Sequence, residues 1–100
     1  MTFAIRRSLA ARDDLTAIWV SIARHDEHAA IRQLERIEQG IRQLADYPEA
    51  GPARDDLIDG IRVILRRPYL VLYRVDHAQS VVDIIRVIDA RRDLEALFHE

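Results

Sequence analysis

The chain has 100 residues, 49% of them hydrophobic, with 15 basic against 17 acidic side chains and a net charge of −2. That length supports one domain with one core, expected over residues 1–100, and the absence of cysteine removes both a disulfide framework and a thiolate metal site. Every basic residue is arginine, so no lysine can serve as acid, base or Schiff-base former, and the slightly acidic balance does not favour nonspecific adhesion to nucleic acid.

The first fifteen residues, MTFAIRRSLAARDDL, carry charge throughout, and no run approaches the roughly 18 apolar residues of a membrane span. The expectation is a soluble, unexported chain in a reducing cytoplasm, with no membrane partner. Thr2 to Arg7 reads as a short strand with Phe3 and Ile5 on one face. Ser8 is a helix cap, with Asp13 and Asp14 placed near the start to suit the helix dipole. Leu15, Ile18, Trp19 and Ile22 then recur at i, i+3, i+4 and i+7, an amphipathic helix running to about Arg24. Asp26 caps a second helix whose buried stripe is Ala30, Leu34, Ile37, Ile41 and Leu44, with Gly40 inside it as a point of close approach between the two helices. Pro48 ends this helix, and a loop follows to about Gly60.

From Gly60 onward the hydrophobic period changes to 2, and Val, Ile, Leu and Tyr dominate. The first run, Ile61 to Arg67, separates Ile61, Val63 and Leu65 from Arg62, Ile64 and Arg66. The second, Tyr69 to Asp76, separates Tyr69, Val71, Tyr73 and Val75 from Leu70, Leu72 and Arg74; Pro68 lies in the turn between them. The third separates Val81, Asp83, Ile85 and Val87 from Val82, Ile84, Arg86 and Ile88. If the apolar faces align, the opposite face carries Leu70, Leu72 and Ile84 beside Arg62, Arg74 and Arg86. That surface is too apolar to face water alone, and either a partner or the last helix must cover it. The last helix is expected from Arg91 to His99, with Leu94, Leu97 and Phe98 on one side. The candidate contact residues are therefore Arg62, Arg74, Arg86, Arg91, Arg92, Leu70, Leu72 and Ile84. His25 and His28 with Asp26 and Glu27 fall short of a metal ligand set, and no residue cluster suggests a catalytic triad, a cofactor site or a phosphate-cradling glycine loop.

The order strand, helix, helix, strand, strand, strand, helix, with Asp14-Leu15, Ile18-Trp19, the series Pro48, Gly51, Arg54, Leu57, Gly60 and Arg62, then Tyr69-Leu70-Val71, Tyr73-Arg74 and Arg86-Val87-Ile88, resembles the ParE branch of the RelE/ParE toxin superfamily. The resemblance implies an α+β fold, β-α-α-β-β-β-α, with a four-stranded, mainly antiparallel sheet packed by a helical hairpin. It also implies the toxin half of a type II toxin–antitoxin pair, held in a hetero-oligomer by a ParD-like antitoxin that does the DNA binding. Such toxins, associated with plasmid stabilisation, act on DNA gyrase without chemistry of their own, whereas RelE-type relatives cleave messenger RNA in the ribosome. In position, Arg62 and Arg86 are similar to arginines of the ribonuclease members. The lysines of those members are missing, and Asp89, Ala90 and Phe98 stand where they tend to offer Tyr or His. A solvated Asp, ionised at neutral pH, is a poor proton donor. A nuclease, or a non-toxic relic that only binds an antitoxin, are the alternatives.

Overall fold

The computed structural model describes residues 2–91. It contains β1 (Ala4–Arg7), α1 (Leu9–Ala23), α2 (Glu27–Gln43), β2 (Arg62–Arg66), β3 (Tyr69–Asp76) and β4 (Val81–Asp89). The expected last helix, apart from Arg91, lies outside the described residues. Ser8 and Asp26 cap the two helices as the sequence indicates: Ser8 Oγ accepts from the Ala11 amide at 3.0 Å and Asp26 Oδ1 from the Ala29 amide at 3.0 Å. The expected role of Asp13 and Asp14 at the dipole is not observed, because the helix begins at Leu9 and both lie beyond its first turn.

The sheet order is β1-β4-β3-β2, with β1 parallel to β4 and the other pairs antiparallel. The two helices cover one side. There Ile18, Ile37, Ile41 and Leu44 meet Ile64, Tyr69, Val71, Tyr73, Val82, Ile84 and Val87 in a core. A second cluster, Leu57, Ile61, Val63, Leu70, Leu72 and Ile88, lies on the opposite side, with Ile58 of the connecting loop packed against it.

The expected alignment of apolar faces is corrected in two places. Register sets Arg62 opposite Tyr73 and Ile64 opposite Val71, so the arginine-bearing side of β2 faces the helices and its Val63 side faces away. In β4 the pairing steps from Tyr73↔Ile84 to Leu72↔Arg86, which leaves Ile85 as an extra residue and reverses the alternation beyond it. Ser8 holds this bulge by donating its hydroxyl to the Ile85 carbonyl at 2.7 Å while capping α1. Gly40 is also placed differently: a Cβ there would meet the Arg66 guanidinium of β2, 2.8 Å from Nε, rather than the other helix.

Arg7 clamps β1 to α2 through two bonds to Glu38, at 2.7 and 2.6 Å, with both side chains largely shielded from solvent. The hydrogen bonds from Arg7 hold the Glu38 carboxyl below its ordinary value against the opposing effect of burial. A folded-state value below the unfolded one means that this pair stabilises the protein above the usual glutamate pKa, about 4.3, and that the contribution disappears as pH falls through the lower folded value. Glu38→Gln is therefore expected to be less stable than the parent at pH 7 and to converge on it in acid. Urea titrations at pH 7 and at about pH 3 check this; a difference independent of pH would contradict it.

Candidate interaction surfaces

The candidate contact residues do not form one surface. Ile84 is fully buried in the helix-side core, Leu72 is fully buried and Leu70 is 8% exposed in the opposite cluster. Alternation with Leu72 places Arg74 on the side away from the helices, whereas Arg62 shares the helix side with Tyr73. The open aliphatic sheet face expected from the sequence is thus absent among the described residues. The large apolar side chains that are exposed lie elsewhere: Leu9, Val20 and Ile31 on the helices, Tyr47 after α2, and Leu65 on the edge strand β2.

The arginines are mostly committed to internal partners. Arg62 donates to the Gly51 carbonyl at 2.7 Å, Arg74 to the Asp59 carbonyl at 3.4 Å, and Arg91 is forked onto Asp89 with bonds of 2.9 and 2.6 Å. Arg92 lies outside the described residues. Arg86 makes a two-pronged contact with Asp14 at 2.7 and 2.9 Å, and the Asp14 carboxylate also accepts the Val87 amide at 2.9 Å. This hydrogen bonding raises the Arg86 pKa above its already high ordinary value against the opposing effect of burial.

From the sequence Asp14 is placed at the helix dipole, and these contacts are not legible there, since its partners are 72 and 73 positions away in sequence. It joins α1 to β4 just beyond the point where β1 stops pairing at Ile84. Asp14→Ala is expected to cost roughly 1–2 kcal/mol, because it strands the Val87 amide and unpairs Arg86, with the partial exposure of the guanidinium limiting the loss. Arg86→Ala should cost less, since Asp14 keeps the Val87 amide. Denaturant unfolding of both single variants and the double variant measures the coupling, and additive losses would contradict a direct pair.

Between the end of α2 and β2 a cleft of about 410 Å³ opens, lined in part by Gly40, Gln43, Pro52, Arg54, Leu65 and Arg66. Its two guanidiniums are also engaged, Arg54 with Asp56 at 2.9 Å and Arg66 with the Leu65 carbonyl at 2.8 Å. No group of three or more metal-ligating side chains occurs among the described residues. No helix among them is long and apolar enough to cross a membrane.

Residues 5–94 match the family described as the ParE toxin of the type II toxin–antitoxin system, parDE. The chain is 40% identical over 67 residues to Toxin ParE3 of Caulobacter vibrioides, a match that spans 67% of this chain and 65% of that protein's length. The chromosomal ParDE system of P. aeruginosa contains a chain of similar structure, with a TM-score of 0.77 at 20% identity, covering 90% of this chain and 98% of that one. The RelBE2 toxin–antitoxin complex of Mycobacterium tuberculosis gives 0.67 at 24% identity, over 89% and 92%. Free E. coli RelE gives 0.66 at 19%, over 98% and 94%. At these identities the structural likenesses establish the RelE/ParE-like α+β fold, and the sequence matches establish the branch. The chain belongs to the ParE toxin family of type II toxin–antitoxin systems.

Proposed function

We propose that this toxin inhibits DNA gyrase by binding it, with no chemistry of its own, and that a ParD-like antitoxin neutralises it in a hetero-oligomer. The observation that carries the reading is the commitment of Arg62 and Arg86 to the Gly51 carbonyl and the Asp14 carboxylate. A ribonuclease of this fold needs free donors for the charge that develops on phosphorus and a group that moves a proton from the 2′-hydroxyl. Arg62 and Arg86 instead tie the loop after α2 and α1 to the sheet. The exposed Leu9, Val20 and Ile31 of the helices and Leu65 of β2 are the apolar anchors that an antitoxin segment, folding as it binds, would cover.

Expression in cells separates the readings. Gyrase inhibition predicts altered plasmid topology and a DNA-damage response with intact messenger, relieved by co-expression of the antitoxin. Cut messenger mapped to ribosomes would overturn it in favour of a nuclease, and neither effect would mark a relic that has lost toxicity.

A further inference from the structure

The arginines divide into two populations. Arg6, Arg7, Arg54, Arg86 and Arg91 each hold a carboxylate. Among the described residues, no ion pair is found for Arg12, Arg24, Arg32, Arg36, Arg42, Arg62, Arg66, Arg67 or Arg74, and of these nine Arg32, Arg36, Arg42, Arg66 and Arg67 lie together. Arg32, Arg36 and Arg42 are exposed on α2, where they share a shallow depression with Glu35 and Gln39. Arg36 donates to the Arg67 carbonyl at 3.1 Å and Arg66 to the Gln43 side chain at 3.4 Å, which joins the β2–β3 turn to the helix. Glu35 is the acid inside this strip, because Glu38 is bound to Arg7.

We infer that this strip docks the phosphate backbone of duplex DNA, an activity beyond gyrase inhibition and separable from it. The ten-residue step from Arg32 to Arg42 places guanidiniums along about 15 Å of a rigid helix. Phosphate contacts need charged donors and little else, whereas a folded protein partner needs apolar or aromatic anchors at the centre of its interface. The depression between Arg32 and Arg42 is lined by charged and amide side chains alone. The strip also has no aromatic side chain on which an unstacked base could lie, which favours a duplex over a single strand. The net charge of −2 conceals the strip, in which Asp26 acts on Arg32 and Glu38 on Arg42 from α2 and its cap while Arg36, Arg66 and Arg67 add to the positive charge.

Fluorescence anisotropy of a labelled 20-bp duplex, titrated with the full chain, tests this inference. Binding should weaken steeply between about 50 and 200 mM salt, with a log–log slope of roughly 3 to 5, since each neutralised phosphate contributes about 0.9. The double variant R36Q/R42Q should lower that slope by about 2 and weaken binding at least tenfold at low salt. R12Q/R24Q removes the same charge from α1 and should leave both quantities close to the parent, and circular dichroism confirms that both variants fold. Gyrase supercoiling measured on the same variants keeps the two activities apart. No binding at about 50 mM salt, equal losses in the two double variants, tighter binding of a single-stranded oligonucleotide or tighter binding of poly-glutamate would each overturn the inference.

Discussion

Ile84→Ala is expected to destabilise the fold by about 3–4 kcal/mol, within the range for removing a large aliphatic side chain from a packed core. Ile84 is fully buried, and it pairs with Arg7 of β1 on one side and Tyr73 of β3 on the other, at the centre of the sheet. It packs in the cluster that contains Ile37, Val71 and Val82, all without exposed surface. The space left by alanine is walled by two neighbouring strands and by the helices, so little of it can collapse. Urea unfolding should show a lower midpoint with an unchanged slope. Any loss of partner binding should follow the unfolded fraction. A variant with parental stability and weakened antitoxin or gyrase binding would restore Ile84 to the contact surface that the strand alternation suggested.

Gly51→Ala should cost about 2–3 kcal/mol, a typical penalty for forcing extra volume into a closed site. A Cβ at this position would stand 2.5 Å from the Val63 carbonyl oxygen and 2.8 Å from the Tyr73 hydroxyl. The first of these is backbone on the sheet's edge strand and cannot swing away. Gly51 is also where three connections meet. Its amide donates to the Tyr73 hydroxyl at 2.9 Å, its carbonyl accepts from Arg62, and the neighbouring Pro52 carbonyl accepts from the Val63 amide at 3.2 Å. Tyr73→Phe removes only the hydroxyl and should cost less, about 1–2 kcal/mol, through the stranded Gly51 amide. Thermal unfolding of both variants orders the effects. A Gly51→Ala protein as stable as the parent would contradict the close approach of loop and strand.

The parts of the fold governed by local chemistry were legible in the chain. Ser8 and Asp26 mark the helix starts by side-chain bonds to amides three residues on, and the second apolar run, from Tyr69 to Asp76, matches β3 residue for residue. The buried stripe of α2 follows from its 3.6-residue period, and Ala30, Ile37, Ile41 and Leu44 are all inside. The site was read less well, for two physical reasons. A strand's period fixes which residues share a side, but the register decides which side meets the helices, and the extra residue at Ile85 inverts the pattern partway along β4. Partners far apart in sequence leave no local trace, so the bonds of Arg86 to Asp14 and of Arg62 to Gly51 could not be read from the strand pattern. Gly40 shows the same limit: its small size suits the Arg66 side chain arriving from β2, which helix periodicity alone cannot reveal.

The ParE branch and the RelE branch share one backbone, so function is decided by which side chains remain free on it. Here Arg86 holds α1 to the sheet and Arg62 holds the loop after α2. The most direct measurement is a supercoiling assay with purified gyrase and purified toxin, run beside a ribosome assay programmed with a defined messenger. Gyrase inhibition predicts dose-dependent loss of supercoiling, restored by equimolar antitoxin, with the messenger uncut. Full gyrase activity together with toxin-dependent cleavage of the ribosome-bound messenger would contradict it.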